Sequence, residues 1–381
     1  MLPTIKVGRG VLTAPRPASH MRRAEDSAPC RKLSGLAVGL TVLLLSNVSS
    51  AAEANVALHW NQLPSLPDPI GVAAPFAGVS GGALLVAGGA NFPDKAPWEG
   101  GRKVWHDMVL VLEQPNGPWK VAGRLPRPLA YGVTVTYGDE IICAGGSDEK
   151  QHFAQVFALR WQDGKLAQRT LPSLPRPVAN ACGAMLDTRF YLAGGISAAD
   201  ATSALAGFYR LDLKTPQPVW TELPSWPGTA RMLALAAARD GAFFVVGGVS
   251  LTRGPTGQPV RQYLRDAYRY DPARGWKRIA DLPHPIAASA SPAPNLSDTT
   301  FLVISGDDGV NAALTSPAAH PGFTNEVLAY DAARDKWIRI GTTPAPRVTV
   351  PAVHWRERWV IPSGEQRPGV RSPEVWSLHA P

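Results

Sequence analysis

Short apolar runs that end in paired glycines recur along the chain: Leu84–Gly89 (LLVAGG), Ile141–Gly146 (IICAGG), Tyr191–Gly195 (YLAGG) and Phe243–Gly248 (FFVVGG). Two degenerate copies follow, Phe301–Gly306 (FLVISG) and Trp359–Gly364 (WVIPSG). The residue before the final glycine falls at 88, 145, 194, 247, 305 and 363, at intervals of 57, 49, 53, 58 and 58. No stretch sustains the 3.6-residue period of an amphipathic helix, and runs this short, bounded by turn residues, predict strands.

A second signature keeps phase with the first. A Trp-bearing strand closes on Leu-Pro or a similar turn at Trp60…Leu63-Pro64, Trp119…Leu125-Pro126, Trp220…Leu223-Pro224, Trp276…Leu282-Pro283 and Trp337…Thr343-Pro344, while the copy at Leu166…Leu171-Pro172 has lost its Trp. Strands such as Tyr268–Pro272 (YRYDP) lie between the two signatures. Each unit therefore reads as four short strands, a to d, with the glycine pair ending b and the Trp in d. The pattern resembles the kelch repeat, whose units form the blades of a β-propeller. Residues 53–381 shared among six units leave about 55 for each, close to the roughly 50 of a kelch unit. The last unit supplies a (Val348–Arg356), b (Arg358–Gly364) and c (Pro373–His379) and then the chain ends. Its missing d strand is expected to be Ala57–Leu63, so the predicted fold is an all-β, six-bladed kelch-type propeller whose N-terminal strand completes the last blade. Closure of that kind removes the sheet edges that template aggregation. The glycines belong where blades crowd and no Cβ fits, and the Trp residues fill the space between blades.

Composition narrows the function classes. Of 381 residues 45% are hydrophobic and 18% charged, which suits a packed core rather than a disordered chain. Beyond the leader no apolar segment approaches the ~20 residues of a spanning helix, which excludes a polytopic membrane protein. The formal charge of +8 invites a nucleic-acid reading, but seven basic and two acidic residues lie in residues 1–52, and the remainder carries only +3. Arg22, Arg23, Arg31 and Lys32 precede the apolar run Leu36–Leu45, and Ser49–Ala52 offers small residues for cleavage. These features predict a signal peptide, with Met21 as an alternative start, and a periplasmic protein. No nucleic-acid partner is expected, nor any stable membrane span after cleavage. Export permits a disulfide between Cys143 and Cys182; two buried thiols on neighbouring strands fit equally well. Neither Cys has metal-ligand spacing.

Strands alternate in direction, so the b–c and d–a connections emerge on one face. That face receives the long loops Ala90–Val104, Ser250–Leu264 and Asp307–Thr324, and long loops are functional or disordered. The Gly/Pro/Arg-rich Ser250–Leu264 is open to either reading. Blades 1 and 6 are neighbours in the ring, which brings Ala90–Val104 beside Glu365–Ser372 (EQRPGVRS). Glu365 stands where other units carry a small residue after the glycines, near the axial channel. With Arg371 six positions on, it could serve as a base beside an anion clamp, or the two could form a surface salt bridge.

Gly88–Pro93 (GGANFP), Pro97–Asp107 (PWEGGRKVWHD) and Ala130–Val133 (AYGV) resemble the N-acetylneuraminate epimerases, periplasmic bacterial sialic acid mutarotases built as six-bladed kelch propellers. Ser363–Arg371 (SGEQRPGVR) resembles the family's Gly-Glu…Pro-Gly-x-Arg motif. In the best-known members this motif precedes the Gly-Gly-Ala segment; here it comes last, as in a cyclically permuted branch. Leu129 stands where the family has a polar or Arg residue. The resemblance implies interconversion of the α and β anomers of N-acetylneuraminic acid or a related acidic sugar. It assigns Glu365 as proton acceptor and Arg371 as holder of the sugar carboxylate, with Asn91, Glu99 and Tyr131 as candidates for hydrogen bonds to the substrate. It calls for no metal and no cofactor. His106-Asp107 is open to a structural or a catalytic role. The expected partner is a small acidic sugar, and a homodimer is allowed. The alternatives are a non-catalytic carbohydrate- or protein-binding propeller and a copper oxidase of the galactose oxidase type; the seven histidines of the mature chain lack the spacing that the oxidase needs.

Overall fold

The computed structural model describes residues 57–314 and 317–379; the expected signal peptide lies outside them. Among the described residues helical structure is confined to two 3-10 turns, Pro97–Glu99 and Pro317–Ala319, and no helix is long and apolar enough to cross a membrane. Six four-stranded antiparallel sheets form a six-bladed β-propeller. From axis to rim, blade 1 is Phe76–Ser80, Ala83–Ala87, Met108–Leu112 and Lys120–Arg124. Blade 2 is Val133–Tyr137, Glu140–Ala144, Val156–Gln162 and Lys165–Leu171. Blade 3 is Cys182–Leu186, Arg189–Ala193, Phe208–Asp212 and Trp220–Leu223. Blade 4 is Leu235–Arg239, Ala242–Val246, Ala267–Asp271 and Gly275–Ile279. Blade 5 is Asn295–Ser297, Thr300–Gly306, Thr324–Asp331 and Lys336–Thr342.

Blade 6 closes the ring as expected. Val353–Trp355, Arg358–Pro362 and Val375–His379 take His59–Leu63 as their outer strand, in register from His59 opposite His379 to Leu63 opposite Val375. Its inner strand is shorter than the Val348–Arg356 expected, because Val348 pairs with Glu365 and Thr349 joins a ring of main-chain bonds around the axis. Ser250–Leu264 is not an irregular loop: Val249–Arg253 pairs with Pro259–Tyr263 as a hairpin. Cys143 and Cys182 lie on different blades and are free and buried. Burial pushes both thiols upward, Cys182 to about 12.

The core is divided among the blade interfaces. Each boundary holds its own apolar cluster, such as Phe76, Leu85, Val111, Ile141, Phe157 and Trp161 between blades 1 and 2, or Phe244, Phe301, Tyr330 and Trp337 between blades 4 and 5. A fully buried aromatic of this size contributes about 2–3 kcal/mol over its exposed state, so each blade depends on both neighbours.

Directional bonds fix the angle between blades. The first glycine of each pair has positive φ, and a Cβ at Gly88 or Gly194 would stand 2.3 or 2.4 Å from a carbonyl oxygen of the next blade. The second glycine donates to that same carbonyl, as Gly89 does to Leu129 and Gly195 to Arg231, both at 2.9 Å. In the degenerate copies Ser305 and Ser363 adopt the same left-handed backbone, and each hydroxyl accepts an amide of the next blade, from Arg347 and Val72. At the rim, the indoles of Trp119, Trp220, Trp276 and Trp337 donate to the carbonyls of Pro64, Pro172, Pro224 and Ala280 on the preceding blade, each at 2.8 Å. The two sequence signatures thus mark two contacts between neighbouring blades, the glycines near the axis and, at four boundaries, the indole at the rim, while among the described residues the Trp60 indole nitrogen is buried without a partner. Blade 2, where Leu166 replaces Trp, uses Gln168 to Arg124 O instead.

Replacing Trp337 by Phe keeps most of the packing but leaves the Ala280 carbonyl without its donor. The expected cost is about 1–2 kcal/mol, measured as a lower thermal midpoint against wild type; an unchanged midpoint would show that the indole bond contributes nothing to the seam.

Candidate functional site

The d–a connections converge on the axis. Ala74, Tyr131, Asn180, Leu233, Ala288 and Thr349, one per blade, all take left-handed φ between 51° and 63°. Their main chains form a closed circle in which the amide of each donates to the carbonyl of the residue before it, with Ala74 completing the cycle on Thr349, at 2.6–3.1 Å. Five of the six form the floor of a cavity of about 530 Å³ whose walls are b–c connections, a size within the 300–1,000 Å³ of small-molecule sites. All six also line a smaller cavity of about 70 Å³, among the first residues of the inner strands.

On the blade 6 side, Glu365–Arg367 and Val370–Arg371 form a short hairpin around Pro368-Gly369, with Gly369 at φ 80°. The turn converts a spacing of six residues into a cross-strand pair, Glu365 opposite Arg371. Glu365 Oε1 accepts the Gly369 amide at 2.6 Å and Arg371 Nη1 at 3.2 Å. Both bonds fall on Oε1, which leaves the lone pairs of Oε2 for a proton. The side chains are only 16% and 3% exposed, so this is not a solvated surface pair. Arg371, expected to clamp a substrate carboxylate, also gives Nε to the Ala90 carbonyl at 3.3 Å and lays its guanidinium 4.8 Å from the Phe92 ring centre. Its geometry serves Glu365 first.

The blade 1 loop meets this hairpin, as ring adjacency requires: a Cβ on Gly369 would fall 2.5 Å from Pro97. Tyr131 sits in the floor and Phe92, Lys103 and Trp105 in the wall. Two expected contacts are placed elsewhere. Glu99 is exposed at the end of its 3-10 turn and is not among the lining residues. Asn91 is buried, its amide donating to Asp68 Oδ2 at 3.1 Å and Gly71 O at 2.9 Å while Oδ1 lies 2.8 Å from His106 Nε2. With its hydrogen-bonding groups satisfied inside the protein, Asn91 supports the loop rather than faces a ligand. His106 belongs to that support, and Asp107 pairs with Arg124 at the surface.

Sequence reasoning missed several lining residues. Asn180 occupies the floor position equivalent to Tyr131, a match visible when Ala130-Tyr131 is aligned with Ala179-Asn180. Asp307 stands after the glycine of blade 5 as Glu365 does in blade 6; Tyr263 donates to its Oδ2 at 2.7 Å, and burial with that bond holds the phenol above its ordinary range. His152 lies 3.2 Å through Nδ1 from the Ile196 carbonyl, and burial lowers its pKa below the ordinary histidine value. Lys103 lies 5.1 Å from the Tyr131 ring centre, 5.4 Å from Trp105 and 5.8 Å from Phe92. Among the described residues no group of three or more His, Cys, Asp or Glu is placed to hold a metal.

The family described as N-acetylneuraminate epimerase matches residues 41–168 and 171–303. The N-acetylneuraminate epimerase of Salmonella arizonae is 41% identical over 128 residues, 29% of this chain and 33% of that protein. Its namesake from Salmonella enteritidis is 39% identical over 128 residues, with the same coverage. N-acetylneuraminate epimerase 1 of Escherichia coli O6:H1 is 26% identical over 232 residues, 54% of this chain and 59% of that protein. The chain therefore spans a third to three-fifths of the length of these relatives. The matched residues include Asn91, Lys103 and Tyr131 and stop before Glu365 and Arg371.

The support role of Asn91 has a measurable signature. Asn91→Ala leaves His106 and the Gly71 carbonyl without partners, at an expected cost of about 1–3 kcal/mol. The urea unfolding midpoint should fall; wild-type stability would place Asn91 among the ligand contacts instead.

Proposed function

The chain belongs to the N-acetylneuraminate epimerase family, and from that premise we propose that it interconverts the α and β anomers of N-acetylneuraminic acid, or of a closely related acidic sugar, in the cavity at the mouth of the ring. The observation that carries this reading is Glu365: a carboxylate in the cavity wall, bonded through one oxygen to Arg371 and the Gly369 amide and keeping the other for chemistry. Because Glu365 lies beyond the matched residues, its role rests on this geometry and on the motif Gly364-Glu365…Pro368-Gly369-Val370-Arg371.

In this mechanism Glu365 takes the proton of the anomeric hydroxyl. The oxygen lone pair forms the ketone as the bond between anomeric carbon and ring oxygen breaks, and Glu365 passes the proton it took to the ring oxygen. The open chain turns about its carbon–carbon bond and the hydroxyl attacks the opposite face of the ketone, Glu365 taking the hydroxyl proton back and giving it to the new anomeric oxygen. Arg371 holds Glu365 oriented, and Tyr131 in the floor is within the same cavity to bond a sugar hydroxyl or acetamido group. The leader's signal-peptide character supports a periplasmic location, where the sugar would be met before uptake.

Glu365→Gln keeps the shape and removes the base. Exchange between the anomers of N-acetylneuraminic acid, followed by proton NMR with the spontaneous rate subtracted, should slow by roughly 100-fold or more. An unchanged rate removes Glu365 from the mechanism. Saturable sugar binding by wild-type protein that does not speed exchange would favour a non-catalytic carbohydrate-binding propeller.

A further inference from the structure

The charges in the cavity wall do not all pair. Glu365 and Arg371 bond each other, and the neighbouring Arg102 is exposed and bonded to Glu149. Lys103 differs from both, and also from Arg261, a third lining cation that likewise has no carboxylate within 4.0 Å among the described residues but is exposed and not held over a ring. The Lys103 side chain lines the cavity, and among the described residues no carboxylate lies within 4.0 Å of its Nζ. Three aromatic faces hold it instead, those of Phe92, Trp105 and Tyr131. Ring faces attract an ammonium and fix its position without cancelling its charge. The remaining lining acids are Asp148, Glu149 and Asp307, of which Glu149 pairs with Arg102 and Asp307 accepts from Tyr263 and the Gly309 amide.

The strand that follows Lys103 fixes its place. Val104–Trp105 pairs with Ala90–Asn91, and Asn91 is locked from below by Asp68, Gly71 and His106. Phe92 is shared: the Arg371 guanidinium lies 4.8 Å from its ring centre and Lys103 Nζ 5.8 Å. One ring therefore spaces two cations, of which only Arg371 has a carboxylate partner.

We infer that Lys103 is the anchor for the carboxylate of the substrate, held by the cage of Phe92, Trp105 and Tyr131, and that it is this residue that makes the cavity select acidic over neutral sugars while Arg371 serves Glu365. The inference rests on the epimerase reading of the same cavity and adds the residue that sets specificity. A carboxylate entering the site meets three ammonium donors already oriented, next to the base that acts on the adjacent anomeric carbon. Charge-assisted bonds of this kind are stronger than neutral ones and are the natural discriminator between an acid and its ester.

The test uses the purified protein with N-acetylneuraminic acid and its methyl ester, which differ at the carboxylate alone, the ester being uncharged and one methyl group larger. Titration calorimetry measures binding and NMR measures anomer exchange for wild type, Lys103→Met and Lys103→Arg. Wild type should bind the acid about tenfold or more tighter than the ester, with the gap narrowing as salt rises. Lys103→Met should lose that preference by weakening the acid alone, with the loss in KM, and Lys103→Arg should restore most of it. Thermal midpoints identify any variant that fails to fold, and the arginine variant then carries the comparison. Equal binding of acid and ester by wild type, or an undiminished preference in Lys103→Met, overturns the anchor. A Lys103-dependent preference without anomer exchange upholds the anchor and overturns the epimerase reading. Exchange lost only in Glu365→Gln, with Lys103→Met like wild type, does the reverse.

Discussion

Six main-chain hydrogen bonds around the axis hold this molecule to one geometry. Each joins a residue of one blade to its counterpart in the next, and the cycle closes only when all six blades are present at the same angle. A single bond of this sort contributes about 1 kcal/mol net, little against the apolar clusters between blades. Its importance is directional. Hydrophobic burial does not specify orientation, whereas a closed circuit of amide and carbonyl dipoles tolerates neither a missing blade nor a tilted one. The outer indole bonds and the glycine contacts repeat the same constraint at larger radius, so each boundary is pinned at the axis, at the glycine pair or the serine that replaces its first member and, at four boundaries, by a tryptophan at the rim.

The cavity follows from that circuit. Its floor consists of the residues that make the bonds, and its walls are the connections leaving the glycine pairs. The N-terminal strand matters to function because it seats blade 6 against blade 1, and only that seating brings Phe92 and Lys103 beside Glu365 and Arg371. Residues separated by most of the chain's length form one wall because the ring is closed by pairing His59–Leu63 with Val375–His379.

The blade number and the closure were legible in the sequence because both depend on residues with few substitutes. A left-handed backbone where a Cβ would stand within 2.4 Å of a carbonyl oxygen favours glycine, kept at four of the six blades and replaced by Ser305 and Ser363 at the other two, and an indole that must fill a wedge and donate one bond favours tryptophan. The pairing of Glu365 with Arg371 was legible for a similar reason, since a Pro-Gly turn between them leaves little choice of register. The residues of the axial ring were not. Ala74, Tyr131, Asn180, Leu233, Ala288 and Thr349 share a conformation but no side-chain property, and main-chain bonds leave no mark on composition. Glu99 was misplaced because its loop forms a 3-10 turn that directs it to solvent, and Asn91 because its partner Asp68 is distant in pattern though near in space. Lys103 was passed over because a lysine beside an arginine reads as surface charge until the three rings around it are seen.

Because the axial ring is closed through peptide groups, its closure does not depend on the identity of its six side chains. Within this one chain they already range from a methyl group to a phenol. The scaffold thus separates what must stay constant from what can vary: ligand preference can drift at these positions, one substitution at a time, while the frame around them goes on closing in the same way.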